Sequence, residues 1–170
     1  MINLQDYDVF IFDCDGVILD SNSLKSDAFR SSLKDEDPSK VDELVKYHKQ
    51  NGGISRYKKF EHFFTKISPC SNSRDRIDDA LKKFAETVSR EMLEVDTIPG
   101  AERFINLLHK MNKRLFVNSG SDEEELRKVF QRRNLDLYFD KVYGSPRNKY
   151  ENIERISNFC NISKKLISNY

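Results

Sequence analysis

Two carboxylates one residue apart, Asp13 and Asp15, end the apolar run Val9 to Phe12 in the stretch DVFIFDCDGVILDS, and Gly16 follows them directly. In extended chain a two-residue offset points side chains to the same side, so both acids can face one site. Gly16 lets the backbone turn close to a ligand. Ser119 follows a second apolar run and precedes Gly120, and Lys149 lies a few residues past a third run, in GSPRNK. Two acids, a hydroxyl and an ammonium at successive strand ends are what phosphoryl transfer through a carboxylate needs. One Asp attacks phosphorus to give an acyl phosphate. A Mg²⁺ on oxygen ligands neutralises that carboxylate against the incoming phosphate. The hydroxyl, a backbone N–H and the ammonium hold the equatorial oxygens. The second acid protonates the leaving oxygen and then activates water.

The elements that must position these residues read as an α/β pattern. Val9 to Phe12 is short, rich in β-formers and continuously apolar, which predicts a strand covered on both faces. From Asn22 to about Met92 only helical periodicity appears, with Pro38 at a helix start, Gly52-Gly53 as a break and Ser73 opening the longest helix. Phe60, Phe63 and Phe64 are assigned to the core of this helical unit, and His48, His62 and His109 to structural or solvated roles. After Pro99-Gly100 come a helix to Met111, a strand Arg114 to Asn118, and a helix opened by a capping box at Ser121 to Glu124. A weak strand Lys141 to Tyr143 and a helix Lys149 to Phe159 follow. Asp20-Ser21 reads as a helix N-cap. Cys14, between the acids, is expected to point away from them and be inert.

Composition narrows the function classes. The chain has 170 residues, 34% of them charged, and a net charge of +1. Such balance gives no general pull toward nucleic acid or anionic lipid, so neither is expected as a partner. No apolar run approaches a membrane span, and no signal segment opens the chain. The three scattered cysteines share no ligand-like spacing with the three histidines, which predicts a reduced, cytoplasmic setting.

DCDGVILDS resembles the first motif of the haloacid dehalogenase superfamily, NSGS its second and SPRNK its third, in that order along the chain. The insert after the first motif resembles the α-helical cap of the phosphoglycolate phosphatase and β-phosphoglucomutase-like branch, and GGISRYKK its Gly-x-Ser-Arg cap loop. The resemblance implies a Rossmann-like parallel-sheet core over residues 1–20 and 95–170 and a helical cap over 21–94. It implies Asp13 as nucleophile, Asp15 as acid/base, Ser119 and Lys149 as catalytic partners, and Gly16, Gly120 and Arg56 at the substrate. Mg²⁺ would be held by the Asp13 carboxylate and the Asp15 carbonyl, and the substrate would be a small phosphorylated metabolite. It further implies a fourth, acidic motif beyond Tyr170. The expectation is therefore a core incomplete at its C-terminal end, with low activity and self-association through the first-strand edge. The rivals are a β-phosphoglucomutase-like phosphomutase and a catalytically silent remnant that binds phosphate or a partner. A receiver domain is a further rival, but its phospho-acceptor follows a later strand and it lacks a helical insert.

Overall fold

The computed structural model describes residues 3–161. Three parallel strands, β1 (Val9–Phe12), β2 (Arg114–Asp122) and β3 (Lys141–Ser145), form a sheet in the order β1-β2-β3. Val9 pairs with Arg114 and Phe12 with Val117, while Phe116 pairs with Lys141 and Asn118 with Tyr143. Seven helices surround the sheet among the described residues: α1 (Asn22–Ser32), α2 (Pro38–Gln50), α3 (Arg56–His62), α4 (Ser73–Glu91), α5 (Ala101–Lys110), α6 (Glu123–Arg132) and α7 (Lys149–Cys160). Alternation along β2 sends Leu115 and Val117 into the main apolar core, while Phe116 packs with Tyr143 and Ile156 on the other face. Helices therefore cover both faces, as right-handed parallel crossovers demand.

Helices α1 to α4 are inserted between β1 and α5 around an aromatic centre. Phe29 lies 5.1 Å from Phe60 and 4.6 Å from Phe84, centroid to centroid, and Phe60, Phe63 and Phe64 are almost wholly buried. Two consecutive buried phenylalanines do not fit one narrow helical stripe. The chain widens there into a π-turn over Phe63–Ile67, closed by the bond from Ser68 N–H to Phe63 O. Asp37 caps α2 through the Ser39 N–H, with Pro38 in the first turn as the sequence predicts. The buried side chains of the insert share one continuous cluster with Leu115, Val117 and Val142 of the sheet.

Three expectations change. The β1 residues are each half-buried rather than covered on both faces, because β1 has β2 as its one neighbour among the described residues. Strands β2 and β3 run past their expected ends to Asp122 and Ser145, which pair with each other after an irregularity. The α6 N-cap is Asp122, whose carboxylate accepts from Glu124 N–H and Glu125 N–H. Ser121 cannot serve as that cap because its hydroxyl is turned toward Asp15. The segment from Ile167 to Tyr170, where a fourth motif was expected to be missing, lies outside the described residues.

Candidate active site

Asp13 leaves β1 with its carboxylate fixed on both oxygens. Oδ1 accepts from the Cys14 N–H at 2.8 Å, and Oδ2 forms an ion pair with Lys149 Nζ. Lys149 is the first residue of α7, which starts in a capping box between Asn148 and Glu151. Asn118 Nδ2 donates to the Lys149 carbonyl at 2.9 Å, so the middle of β2 pins that first turn where its lysine reaches Asp13. Beyond Asp13 the chain folds into a tight turn in which Cys14 O accepts from the N–H groups of Val17, Ile18 and Leu19. Gly16 stands in this turn at φ +72°, and a Cβ there would lie 2.3 Å from Asn22 Nδ2. Cys14 is fully buried, and burial holds its thiol well above its ordinary pKa.

The turn aims Asp15 at three donors. Ser21 Oγ lies 2.5 Å from Oδ1, while Lys25 Nζ at 2.5 Å and Ser121 Oγ at 2.8 Å reach Oδ2. Burial alone would raise this carboxyl's pKa. The Lys25 charge and the bonds from Lys25, Ser21 and Ser121 outweigh it and hold the group at about 2. Asp15 is thus a firmly ionised carboxylate in this arrangement.

The insert closes over these acids. A Cβ on Gly120 would lie 2.8 Å from Gly53 O, so the Gly52-Gly53 loop rests directly on the C-terminal part of β2. Arg56 makes a bidentate pair with Glu125 of α6, at 2.6 and 2.7 Å, and Tyr57 Oη donates to Asp122 at 2.8 Å. Beneath these links is a cavity of about 140 Å³. Asp13, Asp15, Lys25, His48, Arg56 and Lys59 are among its lining residues, together with the apolar walls of Phe29 and Phe84.

The structure brings Asp13, Asp15, Gly120 and Arg56 to this cavity and Lys149 to Asp13. Ser119 is fully buried, and its hydroxyl accepts from the Ser121 N–H at 3.1 Å. Two other hydroxyls, those of Ser21 and Ser121, touch Asp15; Ser121, Lys25 and Lys59 line the cavity without having been assigned to the site from the sequence, and His48, read as structural or solvated, lines it too. Ser121 stands two residues past Ser119, and the same-side rule used for the two acids would have found it. Nothing local distinguishes Lys25 or Lys59 from other lysines on helices. Among the described residues no three His, Cys, Asp or Glu side chains converge as a metal cluster. The Asp13 carboxylate and the Asp15 backbone carbonyl, which takes no hydrogen bond among the described residues, are hard oxygen donors. They fit a Mg²⁺ that keeps several waters and completes its shell with a substrate phosphate.

Acids and lysines grouped beyond the carboxyl ends of parallel strands define an α/β protein of the kind that does its chemistry at the sheet's edge. The model of the haloacid dehalogenase-like hydrolases matches residues 10–163, and the chain belongs to that family. No curated protein sequence matches it. Among solved structures it resembles a predicted phosphatase from Clostridium acetobutylicum (18% identity, TM-score 0.71, covering 94% of this chain and 73% of that one). It also resembles a haloacid dehalogenase-like family protein from Streptococcus pneumoniae (17%, 0.66, 93% and 72%) and a predicted phosphoglycolate phosphatase from Haemophilus somnus (12%, 0.69, 92% and 72%). At these identities the likeness speaks for the fold.

Proposed function

We propose that the protein is a Mg²⁺-dependent phosphatase of small phosphorylated metabolites that works through an aspartyl-phosphate on Asp13. The observation that carries this reading is the Asp13–Lys149 pair at the strand ends, with Asp15 on the same cavity. Asp13 Oδ attacks phosphorus and the alkoxide leaves. Lys149, already at the carboxylate, offsets the charge spread over the phosphoryl oxygens, aided by the backbone around Gly120 and the Ser121 hydroxyl at the cavity. The Asp13 carboxylate and the Asp15 carbonyl would hold a Mg²⁺, which would supply further neutralisation of carboxylate against phosphate. Asp15, ionised by its three donors, suits the second half, in which it takes a proton from the water that attacks the acyl phosphate. In the first half it must carry a proton to the leaving oxygen, which requires it to loosen from Lys25.

The helical insert, residues 21–94, serves in this reading as a cap that excludes water and supplies substrate contacts. Arg56 contributes there: its Nε is buried without a hydrogen-bond partner although its two terminal nitrogens hold Glu125. The family membership and the names of the structural neighbours support this assignment. The test is phosphate release from a panel of small phosphomonoesters with Mg²⁺ present. Phosphate release dependent on Mg²⁺ and Asp13 supports the reading. An isomeric ester formed without phosphate release would replace it with a phosphomutase.

A further inference from the structure

The cavity that holds the acids also has an apolar wall that phosphoryl transfer does not use. Phe84 and Val88 of α4, with Met92 just past its end, recur four residues apart and line it from the insert. Leu126 and Val129 of α6 line it from the core. Each of the five is no more than 6% exposed. The apolar stripes of two helices, one from each part of the molecule, therefore border the same open volume as Asp13 and Asp15.

The polar groups along this wall are already engaged. Main-chain groups in the two helices bond within them, and Met92 O, at the end of α4, accepts from Arg133 Nη1 at 3.2 Å. The Ser89 hydroxyl, also on the lining, donates to Glu86 O at 3.2 Å. The three cations of the lining have partners too. Lys25 pairs with Asp15, Arg56 pairs with Glu125, and Lys59 Nζ lies 2.9 Å from His48 Nδ1. Among the described residues Arg56 Nε is the one buried side-chain donor of the lining left without a bond, and its guanidinium lies 5.4 Å from the Phe84 ring centroid. A ligand hydroxyl pressed between Val88 and Val129 would lose its water and find no partner. An alkyl or aryl group there loses nothing and gives the walls the neighbours they lack. The size agrees: the cavity measures about 140 Å³, and engineered apolar cavities of about 150 Å³ stay dry and take up benzene.

We propose that α4 and α6 form an apolar subsite, with Val88 and Val129 as specificity-determining residues, for the alkyl or aryl end of a phosphomonoester whose phosphoryl group lies at Asp13. The proposal rests on the phosphatase reading above and narrows its substrates to esters of small apolar alcohols, at the expense of many-hydroxyl sugar phosphates.

Three inert phosphonates test it by calorimetric titration with Mg²⁺ present. Methylphosphonate reaches the phosphoryl end only, while butylphosphonate and 3-hydroxypropylphosphonate have equal length and differ in a terminal methyl or hydroxyl. The wild type is expected to bind butylphosphonate about tenfold more tightly than its hydroxylated counterpart, the range for a buried hydroxyl without a partner. Val129→Phe fills the subsite, so butylphosphonate binding is expected to weaken about tenfold while methylphosphonate binding stays within about twofold. Val88→Leu intrudes less, from the other helix, and is expected to weaken butylphosphonate in the same direction. Equal binding of the matched pair by the wild type, or tighter binding of the hydroxylated probe, overturns the proposal. So does an unchanged butylphosphonate affinity in Val129→Phe or, where that variant does not fold, in Val88→Leu. Binding of methylphosphonate without butylphosphonate overturns it as well and leaves the phosphatase reading standing. Failure of all three probes to bind overturns both.

Discussion

Asp13 and Asp15 sit two residues apart and meet different neighbours, and their proposed roles separate for that reason. Asp13 faces one lysine across the strand ends; Asp15 is clamped by a lysine and two hydroxyls. Asp13→Asn is expected to remove phosphate release by at least about a thousandfold, because the nucleophile is lost. Asp15→Asn is expected to slow turnover by about a hundredfold or more while phosphorylated protein accumulates, visible as a phosphate-mass shift on intact protein. A second prediction concerns the buried bases. His48 is held at about 4, chiefly by burial and then by Lys59, Lys25 and Lys49 against the opposing Asp15. The unfolded chain binds this proton first, so stability should fall as pH drops from about 6.5 to about 4. Lys59, held at about 8, adds stability as pH rises from about 8 toward its ordinary value near 10.5, because the unfolded chain again holds more protons in that window. Melting temperature against pH should lose its acidic slope in His48→Gln and its alkaline rise in Lys59→Met.

The first turn of α3 meets α6 and its cap through polar groups, Arg56 with Glu125 and Tyr57 with Asp122. Glu125→Ala leaves a guanidinium buried without its counter-ion, and unfolding by denaturant should show a loss of about 3 kcal/mol. Replacing both partners with Met should recover most of it, since an apolar pair of similar volume avoids the desolvation cost. Full stability in Glu125→Ala would show that the pair is solvated and contributes nothing. Asp122 joins three elements at one residue: it ends β2, caps α6 and accepts from Tyr57.

At the scale of the whole molecule, no helix among the described residues is long and apolar enough to cross a membrane. Strand β1 pairs on one side with β2 and leaves its other edge without a strand among the described residues. Its N–H and C=O groups there are a template for another strand, and we propose that copies of the chain associate through it. Light scattering on purified protein is expected to give a dimer or larger species. A single monomeric mass across the concentration range would remove that proposal.

The first strand, the acid pair, the glycine turn and the run of helices after them were legible because each is written locally. A short apolar run ends on charges, φ must be positive at one residue, and apolar positions recur at helical spacing without a break. The buried phenylalanines of the insert were legible for the same reason. The local pattern carried no information about how elements approach one another. That Ser121 and Lys25 reach Asp15, that Arg56 meets Glu125, and that Lys59 is buried beside His48 all depend on α1 and α3 coming to rest against the end of β2 and the start of α6. The lengths of β2 and β3 were likewise decided in three dimensions, since Asp122 and Ser145 pair across an irregularity that no two-residue periodicity announces. Sequence alone determined which chemistry-bearing side chains stand at the ends of the strands; the tertiary structure decided which lysine faces which acid, because charges far apart along the chain find partners only when packing brings their helices together.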